Sequence, residues 1–220
     1  AKNLRHLTLV LTVNDLLADR IDSDEFRQRD PVEYLLDGPV AIDSEGQPVD
    51  LRLTHVLICG RSGAGKTSAL LSVLSLAFDG PIDGPRPILY GVDPKIAEIA
   101  GGPARYLFDQ VATEPAQIAE LIHDVYEIVI ARRGMSCHDR APVFLVVDEL
   151  VTVLAAGGDR KLAAAIEHDI LEIQRLGRSH DVFLVATSLV VTKDTIGKLR
   201  DGFFTKVALA LPNASDVDVL

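Results

Sequence analysis

The feature that most constrains the fold of this 220-residue chain is an eight-residue run, Gly60-Arg61-Ser62-Gly63-Ala64-Gly65-Lys66-Thr67. It matches the spacing G-x-x-x-x-G-K-[ST] of a phosphate-binding loop. Such a loop needs a buried strand before it and a helix after it. Both flanks are present, as the apolar run Val56-Leu57-Ile58-Cys59 and the segment that begins Ser68-Ala69-Leu70-Leu71. A chance glycine-rich turn is the alternative, but it would not explain the two flanks.

Each residue type in this loop has a chemical reason. Glycines let backbone N–H groups approach phosphate oxygens with no Cβ in the way, and the following helix presents its positive end to the anion. We therefore expect residues 60–68, including Ser68, to bind the nucleotide. Lys66 is expected to reach the β- and γ-phosphates, and the Thr67 hydroxyl to coordinate Mg²⁺. The expected cofactors are ATP and Mg²⁺.

The rest of the chain alternates between apolar runs and helical patterns. This alternation predicts an α/β fold with a mostly parallel sheet flanked by helices. Hydrophobic residues make up 48% of the sequence but aromatic residues only 5%, so the core is aliphatic, as suits a sheet covered on both faces. We expect a strand pair within 40–53, strands at 55–59, 88–92, 143–147, 182–186 and 203–211, and helices at 65–78, 115–133 and 161–176.

An acidic pair follows one of these apolar runs. Phe144-Leu145-Val146-Val147 leads directly into Asp148-Glu149, and ligands bind at the carboxyl ends of parallel strands. Asp148 is expected to hold the Mg²⁺ hydration shell, and Glu149 to act as the general base on the attacking water. With Lys66, these are the candidate catalytic residues of a Mg²⁺-dependent ATPase. The alternative is an ordinary strand end with solvated acids.

Several later segments resemble the FtsK/SpoIIIE family of motor ATPases over roughly residues 38–218. Asp93-Pro94-Lys95 resembles the family's DPK segment, and Arg132-Arg133 resembles the end of its long helix. The stretch from Leu176-Gly177-Arg178-Ser179-His180 to Ala186-Thr187-Ser188 resembles its GRAAGIH…ATQ block. The turn-rich lead-in at 39–49 resembles the family's hairpin before the phosphate loop.

The resemblance implies a RecA-like P-loop NTPase core and an ATP-hydrolysing motor that translocates double-stranded DNA in segregation or conjugative transfer. The alternative within the family is an ATPase domain of a type VII protein-secretion motor. Implied partners are double-stranded DNA and further copies of the chain in a hexameric ring. The resemblance also implies a cytoplasmic location, at the membrane if parts outside this chain supply a tether.

The sequence departs from the family at two positions. Ser188 stands where the family has a glutamine that resembles a γ-phosphate sensor. Serine is shorter but still hydrogen-bonds, so Ser188 is expected to help bind the nucleotide. Lys206 aligns with an arginine that is a candidate for acting on a neighbouring subunit. Arg178, Arg175 or Arg200 could serve instead of Lys206.

Two further segments have open interpretations. Asp93 and Lys95 are expected to line the nucleotide site or a subunit interface, although Asp93 could simply cap a turn. Arg132 and Arg133 could contact DNA or form a solvated helix end.

Charge and domain organisation add two expectations. The net charge of −10 is unusual for a protein that binds nucleic acid, and it mildly favours the secretion alternative. Residues 1–37 are expected to form an N-terminal helical or docking segment. Residues 38–220 are expected to form the motor ATPase domain, truncated at its C-terminal end. Cys59 and Cys137 lack a metal-binding spacing, and no apolar run is long enough to span a membrane.

Overall fold

The computed structural model describes residues 8–10, 37–42, 48–52, 54–78, 85–135, 140–189 and 193–210. The strands are β1 (Thr8–Val10), β2 (Asp37–Ile42), β3 (Pro48–Arg52), β4 (Val56–Cys59), β5 (Ile88–Val92), β6 (Gln110–Ala112), β7 (Val143–Val147), β8 (Val182–Ser188) and β9 (Thr205–Ala208). The α-helices are α1 (Lys66–Phe78), α2 (Pro115–Ala131), α3 (Leu150–Ala155), α4 (Arg160–Leu176) and α5 (Lys193–Ile196). Short 3-10 turns occupy Pro103–Leu107, Ala156–Gly158, Gly177–His180 and Gly197–Gly202.

Seven of the described strands form one sheet in the order β1-β9-β4-β8-β7-β5-β6. Every pairing in this sheet is parallel, and β2 and β3 form a separate antiparallel hairpin. Strand β4 leads into the phosphate loop, and β7 leads into the acidic pair. Because β8 lies between β4 and β7, its carboxyl end lies between the loop and the acids.

Helices cover both faces of the sheet. Alternate residues of β4 point to opposite faces: Val56 and Ile58 pack in the cluster that includes α1, whereas Leu57 and Cys59 pack in the cluster that includes α2, α3 and α4. All five residues of β7 are buried. The continuous apolar runs in the sequence arise because these strands are covered twice.

Local sequence explains where two of the long helices begin. Helix α2 starts with Pro115 at its first position, where a missing N–H costs nothing. Helix α4 starts after Asp159, whose side chain accepts hydrogen bonds from the N–H groups of Lys161 and Leu162. Among the helices that the structure describes, none is both long and apolar enough to cross a membrane.

The predicted α/β fold with a parallel sheet flanked by helices is confirmed. Strand β8 runs two residues beyond the predicted 182–186, and β9 is shorter than the predicted 203–211. The short elements β6, α3 and α5 lack a periodic signal and were not predicted. Thr8–Val10 form a strand beside β9, and the rest of 1–36 lies outside the described residues. The interpretation of residues 1–37 as a helical or docking segment, and the division at residue 37, stay predictions.

Candidate nucleotide-binding site

The phosphate loop connects β4 to α1 and needs glycine at defined positions. Gly63 and Gly65 have φ of 75° and 90°, a region that side chains disfavour. A Cβ on Gly60 would lie 2.9 Å from the Cβ of Leu209 and 3.3 Å from the Cβ of Ala64. The backbone at the start of the loop therefore packs against the segment after β9, and any side chain at residue 60 would displace it.

Lys66 bends back over its own loop. Its Nζ donates hydrogen bonds to the carbonyl oxygens of Gly60 at 3.0 Å and Arg61 at 3.2 Å. The ammonium thus lies beside the loop, and its partners are two of the loop's own carbonyl oxygens. Arg61 and Ser62 are exposed, so the loop is open to a ligand from solvent.

Thr67, the predicted Mg²⁺ ligand, contacts an acid that the sequence did not single out. Its Oγ1 donates a hydrogen bond to Glu98 Oε2 at 2.9 Å. The charge of Glu98 also contributes to raising the pKa of Asp148. The hydroxyl of Thr67 and the carboxylates of Glu98 and Asp148 therefore converge on one region.

The carboxylates of the acidic pair are nearly buried at the end of β7. Asp148 is 8% exposed and Glu149 is 5% exposed. Burial raises the pKa of Asp148, and the charges of Asp93, Glu149 and Glu98 raise it further, whereas a hydrogen bond from Thr187 acts in the opposite direction. A divalent cation would relieve this crowding of negative charge, so the donor set fits Mg²⁺.

Protein side chains alone do not supply a full set of Mg²⁺ ligands beside the acidic pair. Within the described ranges, no group of three or more His, Cys, Asp or Glu side chains is arranged to hold a metal ion. Mg²⁺ is commonly held by one or two protein oxygens together with water and substrate phosphates. Thr67 and Asp148 would supply the protein oxygens in such an arrangement.

Glu149 is held at three points in a strained conformation. Its φ of 59° is in the left-handed region, which is uncommon for a residue other than glycine. Its N–H donates to Thr187 Oγ1 at 2.9 Å, and its Oε1 accepts from the N–H of Leu189 at 3.1 Å. Its Oε2 lies 3.4 Å from Lys95 Nζ. Strain of this kind is typical of functional sites, where surrounding contacts determine the conformation.

Asp93 builds the loop that carries Lys95. Its fully buried carboxylate accepts four backbone N–H groups, from Lys95 at 3.1 Å, Ala97 at 2.9 Å, Ile99 at 3.0 Å and Ala100 at 2.9 Å. Asp93 therefore caps the turn that follows β5, as the alternative interpretation of the sequence predicted. Of the pair expected to line the site, it is Lys95 that contacts a site residue.

Ser188 ends β8 beside the start of the phosphate loop. It is in register with Cys59, and its carbonyl oxygen accepts the N–H of Gly60 at 3.1 Å. Burial raises the pKa of the neighbouring Cys59 thiol to about 12, so Cys59 is a small buried hydrophobic residue and not a reactive thiol.

The four cations considered for action on a neighbouring subunit come from the segments around β8 and β9. Arg178 is in the turn before β8, with its guanidinium 4.5 Å from the ring centre of Phe204. Arg200 is in the turn before β9, and Lys206 is the second residue of β9. Arg175 pairs with Glu172 on the exposed surface of α4. The three arginines precede β8 or β9 and therefore lie toward the amino-terminal edge of the sheet, whereas the phosphate loop is at the carboxyl edge. Lys206 is in register with Leu57 of β4, and its charge acts on Cys59, which directly precedes the loop.

The two arginines at the end of α2 differ in their surroundings. Arg132 donates to the carbonyl oxygens of His180 at 2.8 Å, Asp181 at 3.3 Å and Ala141 at 2.7 Å. Arg133 is exposed. Arg132 therefore fastens α2 to the segments before β7 and β8, which is a structural role.

Thr187 and Glu98 are site residues that the sequence did not reveal. Thr187 follows an apolar run, as Asp148 does. A polar residue at the end of a buried strand is therefore the sequence signal that could have identified Thr187 as a site residue. Glu98 has no such signal, because its position depends on how the loop after β5 folds around Asp93.

Comparison with known proteins shows the fold but no close relative. No protein-family profile matches the sequence, and no curated protein matches it. The pCW3 conjugation coupling protein TcpA, in a monomer form with ATPγS, has a TM-score of 0.70 at 18% identity over 90% of this chain and 59% of its own. The cytoplasmic domain of the Thermomonospora curvata type VII secretion ATPase EccC has a TM-score of 0.67 at 19% identity over 91% of this chain and 26% of its own.

A third solved structure, the cytoplasmic domain of EssC, has a TM-score of 0.62 at 16% identity, covering 82% of this chain and 38% of its own. The chain thus spans less than two thirds of each of these proteins. The likenesses confirm the RecA-like P-loop NTPase fold and are consistent with the resemblance to the FtsK/SpoIIIE family.

Proposed function

We propose that this chain is a Mg²⁺-dependent ATPase domain of the FtsK/SpoIIIE type. The observation that carries the proposal is that a complete phosphate loop and the Asp148-Glu149 pair lie at the same edge of one parallel sheet. Strand β8 connects them, through Ser188 to Gly60 and through Thr187 to both acids. A nucleotide-binding protein without hydrolysis would not need a buried second acid held at three points.

The residues have separate tasks in this function. Backbone N–H groups of residues 60–68 bind the phosphates, and Lys66 exchanges its loop carbonyls for the β- and γ-phosphate oxygens. Thr67 and Asp148 hold Mg²⁺, which neutralises charge on the phosphates when bound. Glu149 orients the attacking water and accepts its proton. Since phosphoryl transfer depends on positioning and charge, loss of Lys66 should reduce the rate by orders of magnitude.

Translocation of double-stranded DNA is the activity we propose for the assembled motor. The family resemblance supports it, as does the fold shared with a conjugation coupling protein. We propose that the chain works in a hexameric ring at the cytoplasmic face of a membrane, with any tether supplied by other parts. The family resemblance supports the ring, in which one of Lys206, Arg175, Arg178 and Arg200 would act on a neighbouring subunit.

An ATPase domain of a type VII secretion motor is the second candidate. The fold resemblance to EccC extends over as much of the chain as that to TcpA. The net charge of −10 also favours a polypeptide over DNA as the substrate.

ATP hydrolysis measured with and without double-stranded DNA tests these proposals. Strong stimulation by DNA supports translocation, and its absence at all chain concentrations favours secretion. Stimulation by a secretion-signal peptide would be the positive result for the second candidate. No turnover under any of these conditions would contradict the ATPase proposal itself.

The matched control is Glu149→Gln, which keeps the shape of the side chain but removes the base. It should abolish turnover while ATP still binds. Turnover that survives in this variant would show that Glu149 is not the base.

A further inference from the structure

Thr187 is a buried residue that contacts both acids at once. It is only 1% exposed at the end of β8. Its Oγ1 donates a hydrogen bond to Asp148 Oδ1 at 2.7 Å and accepts one from the N–H of Glu149 at 2.9 Å. A hydroxyl has one donor and two acceptor sites, so it can satisfy both bonds together.

The next residue extends this connection to the phosphate loop. The carbonyl oxygen of Ser188 accepts the N–H of Gly60 at 3.1 Å. This arrangement follows from the strand order, since β8 pairs with β4 on one side and with β7 on the other. Two consecutive residues of one strand therefore join the part of the site that binds phosphate to the part that carries the acids.

We propose that Thr187 is a positioning residue that fixes Asp148 and Glu149 relative to the phosphate loop. The proposal rests on the ATPase function proposed above. The hydrogen bond from Thr187 to Oδ1 of Asp148 fixes the rotation of that carboxylate and hence the direction of Oδ2. Its bond to the N–H of Glu149 supports the left-handed backbone from which the base projects.

The energetic importance of these bonds follows from burial. A hydrogen bond to a charged group is shorter and stronger than one between neutral groups, and a buried group left without its partner bears the full cost of desolvation. Asp148 is already crowded by the charges of Asp93, Glu98 and Glu149. Without the hydroxyl, the carboxylate would turn toward whichever donor remained, and the metal site would lose its geometry.

A role in packing alone is the competing explanation, because threonine is β-branched and suits a buried strand. Two substitutions separate the explanations. Thr187→Val keeps the shape and removes the hydroxyl, whereas Thr187→Ser keeps the hydroxyl and removes the methyl group. Thr152→Val, on the exposed surface of α3, controls for the same chemical change elsewhere.

The experiment measures steady-state ATP hydrolysis and, separately, the Mg²⁺ dependence of binding of a fluorescent non-hydrolysable ATP analogue. In Thr187→Val we expect kcat to fall about 10- to 100-fold, with KM for ATP changed by no more than about 3-fold. The Mg²⁺ concentration that gives half-maximal binding should rise. Thr187→Ser should restore both quantities to within a few-fold of wild type, and Thr152→Val should change neither.

Two results would overturn the proposal: a kcat and Mg²⁺ dependence unchanged in Thr187→Val, or equal damage in Thr187→Ser and Thr187→Val. Absence of turnover in the wild-type protein would instead overturn the proposed ATPase function. The Mg²⁺ dependence of analogue binding would still test whether Thr187 positions Asp148. Thermal unfolding checks that each variant folds. If the valine variant does not, Thr187→Ala replaces it in the same comparison with Thr187→Ser.

Discussion

Lys95 Nζ lies 3.4 Å from Glu149 Oε2, and this contact joins the loop after β5 to the acid after β7. The same loop reaches the phosphate-binding side through Glu98, which accepts a hydrogen bond from Thr67. One loop therefore contacts both the expected base and an expected Mg²⁺ ligand. Its shape depends on the buried carboxylate of Asp93, so the effects of Lys95, Glu98 and Asp93 can be tested separately.

Replacing Lys95 with methionine should lower kcat about 10-fold while KM for ATP stays nearly unchanged, because Glu149 loses the contact that orients Oε2. Lys95→Arg keeps the charge and should retain most of the activity. The Lys95 side chain is 45% exposed, so the free energy of unfolding should change by less than about 1 kcal/mol. Steady-state hydrolysis over a range of ATP concentrations checks this. A raised KM with an unchanged kcat would mean that Lys95 binds the nucleotide instead of positioning the base.

Asp93→Asn should destabilise the protein more than it alters any contact with a ligand. An amide keeps one acceptor oxygen, but its NH₂ group would face a backbone N–H that now donates to the carboxylate. We expect the free energy of unfolding to fall by about 2–3 kcal/mol, as measured by urea denaturation. Asp124→Asn, on the exposed surface of α2, is the control and should change it by less than about 0.5 kcal/mol. Equal stability of the two variants would show that the four N–H bonds contribute little.

Substitutions of the adjacent residues Arg132 and Arg133 at the end of α2 should show which of them stabilises the fold and which is available for another role. Arg132→Met removes donors to three backbone carbonyls and should lower the free energy of unfolding by about 2 kcal/mol. Arg133→Met should leave stability within about 0.5 kcal/mol of wild type. Urea denaturation measures both. If DNA binding fell for Arg133→Met at unchanged stability, Arg133 would be part of the DNA contact proposed from the sequence.

Strand bounds could be predicted where local pattern and final burial coincide. The bounds of β5 and β7 match those expected, because each is a short apolar run covered by helices on both faces. Strand β8 was predicted too short, since Thr187 and Ser188 are polar residues whose burial is made possible by partners on neighbouring strands. Pattern alone does not show those partners.

Some features of the candidate site could also be predicted from the sequence, and others could not. The expected proximity of Lys66 to Asp148 and Glu149 follows from a general property of parallel sheets, that the carboxyl ends of the strands share one edge. The roles of Thr187 and Glu98 depend instead on which strand lies between β4 and β7 and on how a loop folds around Asp93. Strand order and loop conformation arise from long-range contacts, which periodicity in the sequence does not encode.

His55 provides a final prediction, on the pH dependence of stability. Its ring is fully buried before β4, and its Nδ1 accepts a hydrogen bond from the N–H of Leu184 at 3.0 Å. Burial, aided by the charge of Arg178, lowers the pKa of His55 from 6.5 to about 4. Protonation of Nδ1 would also turn the acceptor into a donor facing the Leu184 N–H.

Because the folded pKa of His55 is the lower one, the unfolded chain binds more protons between about pH 4 and about pH 6.5. The contribution of neutral His55 is therefore fully present above this window and is lost as the pH falls through it. Lowering the pH from about 7 to about 5 should therefore reduce the free energy of unfolding by about 2 kcal/mol through His55. His55→Asn keeps an acceptor for Leu184 but does not titrate, so urea denaturation of this variant should show a loss smaller by that amount. Equal pH dependence in the variant and the wild type would mean that His55 is not the group responsible.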